Sequence, residues 1–330
     1  NSNLINNYAK KTVLKMIPER VKSLINAPDD AFNLGNVCQQ YMNKLAYIYW
    51  GDDPIGYLEK GENVFSPKVN VLNSDLLESS DREQILKRLQ ILILNKIETL
   101  LKPININTDQ ISKFSVVRSI SYILFHSLGC SSINDFIKFN KNLSDIEKKE
   151  LSSLGIRTGV QYYYFPHFMK KGPIELRAIL WKVYNMCSKN FLYPLPGDGR
   201  VFFKVNLDIP DSYWLAIGYI KINEVAIRVD IYERLFFMVR KKNRYGTFIQ
   251  HPDLMNLIGC NSITLNMIMK FLNYKSVLMG NNQLIFVENK NNYKKNNKSF
   301  KKDVKKIMVN NKSEKLKQES FGSLGAYFNK

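Results

Sequence analysis

The sequence predicts a mostly α-helical chain with small β elements, an α+β protein of more than one domain. Three observations carry this reading. Apolar residues recur at helical spacing in several windows, and short strand-like runs around turn signals interrupt them. A third feature, "YPLPGDGR" (193–200), places two Pro and two Gly in eight residues and marks a boundary. The 330 residues give room for two or three domains, and 45% hydrophobic with 12% aromatic content excludes a wholly disordered chain.

From the N-terminus, residues 3–26 read as an amphipathic helix on Leu4, Ile5, Tyr8, Val13, Leu14, Ile17, Val21 and Leu24, with a break or kink at Pro18. "LAYIYWGDDPIGYLEKG" (45–61) turns to strand-like runs about Gly51-Asp52-Asp53-Pro54, so the Asp pair reads as turn chemistry rather than as an acid/base or metal pair. Ser80 with Glu83 forms a capping-box pattern ahead of a helix to about Leu101. Its apolar run "ILILNKIETLL" holds Lys96 and Glu98 and is too short to span a bilayer, so it reads as a core helix. A second helix follows over 108–128. Ser144 with Glu147 repeats the capping box before a helix that stops at Gly155.

"YYYFPHFMKKGP" (162–173) is aromatic and then basic, the mixture that stacks single-stranded bases. A half-buried strand explains the same residues and is the preferred reading. A helix is expected from Ile174 to about Met186. The domain pattern is then 1–192 helical, 193–214 linker, 215–289 a compact module and 290–330 a tail.

In the compact module, "VAIRV" (225–229) reads as a strand, and Asp230 with Glu233 can cap a helix through Lys242 with Ile231, Leu235, Phe236 and Val239 inward. Gly259 ends a further helix, Ser262 caps the next, and Leu254, Leu257 and Ile258 face Leu265, Ile268 and Leu272. Two apolar runs about Gly280-Asn281-Asn282 signal a hairpin. Helix, helix, helix and hairpin is the order of a winged helix. Residues 288–330 hold 12 Lys against four acidic residues, too little apolar surface to offset ordering, and so read as a disordered basic arm. Its end, "ESFGSLGAYFNK", suits a docking motif.

A net charge of +19 favours a polyanionic partner: RNA, DNA or an anionic membrane surface. The candidate phosphate contacts are Arg240, Lys241, Lys242 and Arg244 before the helical pair, Lys270 and Lys275 about its second helix, and Lys294, Lys295, Lys301 and Lys302 in the tail. A plain solvated basic surface accounts for the charges equally well. The second helix is rich in Asn and Met with one Lys, which disfavours sequence-specific base reading.

No glycine is followed by Lys, so no phosphate-binding GxxxxGK[ST] loop exists. GxSxG and acidic helicase boxes are missing too. His126 and Cys130 share helical spacing, but a zinc site needs two more ligands, so His126 reads as a core histidine. Scattered Cys38, Cys130, Cys187 and Cys260 suit a reducing cytoplasm. No metal ligand set and no catalytic constellation emerge.

Taken in order, "IPERVKSLINAPDDAFNL", "YIYWGDDPIGYLEKGENVFSPKVNVL", "ELSSLGIRTGVQYYYFPHFMKKGPIELRAILW", "RVDIYERLFFMVR" and "HPDLMNLIGCNSITLNMIMKFLNYK" resemble the C-terminal third of alphaproteobacterial-type superfamily 2 helicases, relatives of the RNA helicase of the mitochondrial degradosome. "SFGSLGAYF" is similar to a short tail motif of that group, while Asn273 stands where a Gly is expected. The resemblance implies ATP and Mg chemistry in motor domains upstream of Asn1, with this chain a piece of a longer polypeptide that grips RNA or, second, DNA. A nuclease or ribosomal protein is the alternative partner. A freestanding binding protein without a motor is the competing reading.

Overall fold

The computed structural model describes residues 16–35, 46–74, 77–102, 112–134, 143–185, 194–197, 200–206, 208–280 and 284–289. Over these residues the chain is mixed α and β, with helices and four small antiparallel sheets. It forms two compact units, residues 1–237 and 238–330.

In the first unit, helix α1 is described over 16–26 and is helical on both sides of Pro18. Strands β1 (Phe32–Gly35), β2 (Tyr47–Trp50), β3 (Asp53–Glu59) and β4 (Lys68–Val71) form one antiparallel sheet in that order. Asp52 lies in the β2–β3 turn beside Gly51 at φ +61, and Asp53 pairs with Arg20, so the turn reading of this acidic pair holds. Helix α2 (Ser79–Leu101) buries Ile85, Leu89, Leu92, Ile93, Ile97 and Leu101, a stripe at helical period, and packs on β4. Leu89 comes so near the sheet that a Cβ at Gly56 would lie 2.7 Å from its Cδ1. Arg88 ties α2 to the α1–β1 turn: it donates to Ile25 O, Ala27 O and Asp29 Oδ1 and lies over the Phe32 ring. Arg88 holds the Asp29 carboxyl below the usual carboxylate range.

The expected capping box at α2 does not form. Glu78 is the extended N-cap, and Glu83 instead pairs with Lys87 one turn on. Helix α3 (Ser115–His126) starts later than the 108–128 reading, because Ser112 Oγ takes the Phe114 N–H and Arg118 takes the Ser112 carbonyl, fixing a non-helical entry. His126 is exposed at its end, against the Tyr122 and Phe125 rings, and is not the core histidine expected. Helix α4 (Asp145–Ser153) has the expected Ser144–Glu147 capping box and ends before Gly155 at φ +79.

Strands β5 (Cys130–Ser132), β6 (Arg157–Thr158) and β7 (Tyr162–Tyr164) form a sheet in the order β5-β7-β6. Tyr163, Tyr164 and Phe165 are buried, so the aromatic run belongs to the core rather than to a base-stacking platform. Helix α5 (Lys171–Tyr184) begins ahead of the expected Ile174. Gly172-Pro173 sits in its first turn, where a missing N–H leaves no intrahelical bond unmade. Strand β8 (Phe202–Lys204), helix α6 (Asp211–Ala216), β9 (Tyr219–Ile222) and β10 (Val225–Arg228) complete this unit with a β8-β10-β9 sheet. The Pro194 carbonyl accepts from Tyr213 Oη, which ties the Pro/Gly-rich stretch to α6.

Helix α7 (Val229–Asn243) follows β10 directly, and the division between the units falls inside it, after Phe237. Glu233 does not cap this helix as expected. Its buried carboxylate accepts the Val160, Gln161 and Tyr162 backbone N–H groups at 2.5–2.8 Å, while Tyr232 Oη donates to Gln161 Oε1. Burial raises the Glu233 pKa, and the three N–H groups oppose that rise.

Candidate nucleic-acid interface

The second unit builds its candidate surface from six short pieces. The C-terminal part of α7 leads through a turn to β11 (Phe248–Ile249), and α8 (Pro252–Ile258) and α9 (Ser262–Phe271) follow. Strands β12 (Tyr274–Leu278) and β13 (Leu284–Glu288) form the expected hairpin. The sheet order is β11-β13-β12, all antiparallel.

Local chemistry explains each corner. Pro252 opens α8 and Gly259 closes it at φ +76, a left-handed turn that glycine adopts without steric cost. Asn261, rather than the expected Ser262, caps α9 by accepting the Thr264 N–H at 2.9 Å. Ser262 instead exchanges hydrogen bonds with Gln250, whose backbone N–H donates to Leu284 O; this joins α9, β11 and β13. Leu254, Ile258, Leu265, Ile268, Met269, Leu272, Tyr274 and Phe286 are buried and form the core, and α8 packs on α9. Met269 is fully buried although the pattern had not placed it there. Leu257, expected inward, is half-exposed.

The basic residues fall in two groups. Arg240 and Lys241 are exposed and Lys242 half-exposed in the last turn of α7, with exposed Arg244 just beyond. Lys270 in the last turn of α9 and Lys275 in β12 are exposed on either side of the Leu272-Asn273 corner. Cations at helix C-termini also offset the carbonyl ends of the helix dipole, about 0.3–1 kcal/mol each, so part of this charge has a stabilising duty. Lys294, Lys295, Lys301 and Lys302 lie outside the described residues.

Acidic counterweight is sparse. Asp253 meets His251, and Glu288 accepts from Asn243 Nδ2 at 2.8 Å. Burial pushes the Cys260 thiol up to about 11, which keeps it protonated and non-nucleophilic near neutrality. Among the described residues, no three His, Cys, Asp or Glu side chains converge to hold a metal, and no helix is long and apolar enough to cross a membrane.

Sequence reasoning missed three exposed groups here. Tyr245 is 91% exposed in the turn after α7, and Ile263 is 79% exposed at the start of α9. Val277, Leu278 and Met279 are exposed at the end of β12. The signal was available for the last group: four residues, Val277 to Gly280, run without the polar alternation of a one-sided strand. No family model, curated protein or solved structure matches the chain.

Proposed function

We propose that the second unit is a winged-helix module that binds a nucleic-acid strand through its phosphates, RNA before DNA. The chain as a whole is then the non-catalytic C-terminal region of an ATP-dependent helicase. One observation carries the binding reading. The order helix, strand, helix, helix, strand, strand, with the first strand paired to the last, supports a winged-helix reading, and exposed basic residues precede the helical pair in the chain and end its second helix. The helicase setting rests on the ordered segments that resemble that family, and ATP and Mg belong to its motor domains upstream. In that setting the motor supplies the step, while the basic module keeps the strand from leaving between steps. Helix α9 offers Asn266, Met267 and one Lys rather than a row of bidentate donors, which favours phosphate contact over base reading.

A protein-interaction role is the second reading, with a nuclease or ribosomal protein as partner. Exposed Ile263 and Phe271, near the two ends of α9, favour it.

The test is equilibrium binding of the whole chain to a single-stranded RNA across a salt series, with a DNA strand of equal length for comparison. Affinity should fall log-linearly with salt. Reversing Arg244, Lys270 and Lys275 to Glu should flatten the slope by about 2, since each single-strand phosphate contact contributes roughly 0.7. No binding at low salt, or a slope untouched by the triple reversal, overturns the reading.

A further inference from the structure

The β12–β13 hairpin runs beyond the core that supports it. Its base is buried through Tyr274 and Phe286, but the next residues are apolar and open: Val277 is 46% exposed, Leu278 61% and Met279 48%. Cross-strand pairing puts Leu278 opposite Leu284 and Val277 opposite Ile285. Side chains alternate along a strand, so Val277 and Leu278 point to opposite faces. The end of the hairpin is therefore apolar on both faces, which a strand covering a core on one side does not need.

Its surroundings narrow the occupant. Lys275 lies on the same face as Val277, two residues back. The described part of this unit carries Arg240, Lys241, Lys242, Arg244, Lys270 and Lys275, against Asp253 and Glu288, which are engaged with His251 and Asn243. An apolar strand end with Lys275 two residues back, in a described unit of six cations and two engaged carboxylates, matches a ligand with apolar faces and a polyanionic rim, that is, stacked bases between phosphate backbones. Leu and Met are among the side chains that wedge between base steps.

From this geometry we infer that Val277, Leu278 and Met279 form a wedge that docks against the exposed base pair of a duplex end or fork, so that the preferred ligand is a duplex–single-strand junction. This rests on the phosphate-binding reading and adds the class of substrate. The phosphates hold the module, and the tip stacks on the terminal pair or opens it.

The experiment uses the full chain and three RNAs of equal phosphate number: a single strand, a blunt duplex and a fork with 2-aminopurine at the first paired position. Binding is followed by anisotropy and opening by 2-aminopurine emission. The fork should bind on the order of tenfold more tightly than the blunt duplex, with a rise in emission. A Leu278→Ser, Met279→Ser double variant should lose both effects and keep the salt slope; a Val277→Ser variant provides a second arm if the double variant melts early. Binding to all three RNAs alike, with unchanged emission, overturns the wedge and leaves phosphate binding standing. Failure to bind any of them at low salt overturns the phosphate-binding reading itself. A dimer in sedimentation that the serine variants abolish overturns the wedge in favour of a protein-docking tip.

Discussion

The guanidinium of Arg177 donates to five carbonyls, and those bonds lock the first unit. Its Nε reaches Pro173 O, its two Nη atoms reach Leu128, Ala216, Phe168 and Ile217 O, and its plane lies over the Phe168 ring. Leu128 follows α3, and Ala216 and Ile217 end α6, so the cation meets the negative ends of two helices. Burial still pulls its pKa down to about 10. Lysine has three donors and no planar fork, so Arg177→Lys should strand at least two carbonyls and lower stability by about 2–4 kcal/mol. Trp50, Trp181 and Trp214 all lie in this unit, and their fluorescence in a denaturant titration reads the loss; a shift below about 0.5 kcal/mol would refute the keystone role. Nearby tyrosines set the alkaline limit. Burial pushes Tyr164 and Tyr219 up to about 12 and Tyr232 higher still. An acid whose folded pKa is raised leaves stability intact below its unfolded value near 10 and removes it as pH rises from there. Arg177 runs the other way over the same range, but three tyrosines outweigh it. Stability should therefore fall between pH 10 and 12, with part of the tyrosinate absorbance appearing only as the unit unfolds.

At the scale of elements, the corner between α9 and β12 turns on Asn273. Its φ is +67, and its carbonyl accepts the Asn289 N–H at 2.8 Å, so the left-handed residue also closes the base of the hairpin. Only Gly, Asn and Asp adopt this backbone at small cost. That explains how Asn can stand where the resemblance expects Gly. Asn273→Gly should be neutral to within a few tenths of a kcal/mol, whereas Asn273→Ala should cost about 1 kcal/mol. The second unit has no Trp, so hydrogen exchange of the α9 and β12 amides is the appropriate readout; equal exchange in both variants would contradict the argument. Elements such as α4, α8 and the hairpin were legible because the sequence at their ends carries its own chemistry: Ser144 with Glu147, Gly259, and the Gly280-Asn281-Asn282 turn signal. Elements fixed by distant partners were not. Glu233 looked like a cap because its spacing from Asp230 fits one, yet it serves a loop more than 70 residues earlier. In the β5-β7-β6 and β8-β10-β9 sheets, β7 and β10 were read from the sequence, but their partners are strands of two to four residues, too short for alternation to register. The basic candidates and their order about one helical pair could be named from sequence, but which of them are exposed needed the fold.

For the whole molecule, the question is how a charge of +19 is shared between the described second unit and residues 290–330. Residues 290–330 contain 12 Lys, against six Lys and Arg between Met238 and Asn289. Under the phosphate-binding reading both regions release counterions, but they do so differently. The module holds its cations on fixed backbone, so its grip persists and sets where the strand lies. The arm expected from the composition of residues 290–330 would contribute charge at high local concentration without fixing position. Ending the chain at Asn289 keeps β13 and its bond to Asn273, and circular dichroism of the shortened chain checks that its fold is kept. Affinity at low salt should then drop, and the salt slope should flatten by roughly 0.7 for each phosphate the arm no longer neutralises, while the fork preference survives. The comparison separates grip from position: if fork preference disappears with the arm and the slope does not move, the arm selects the ligand and the module only adds charge.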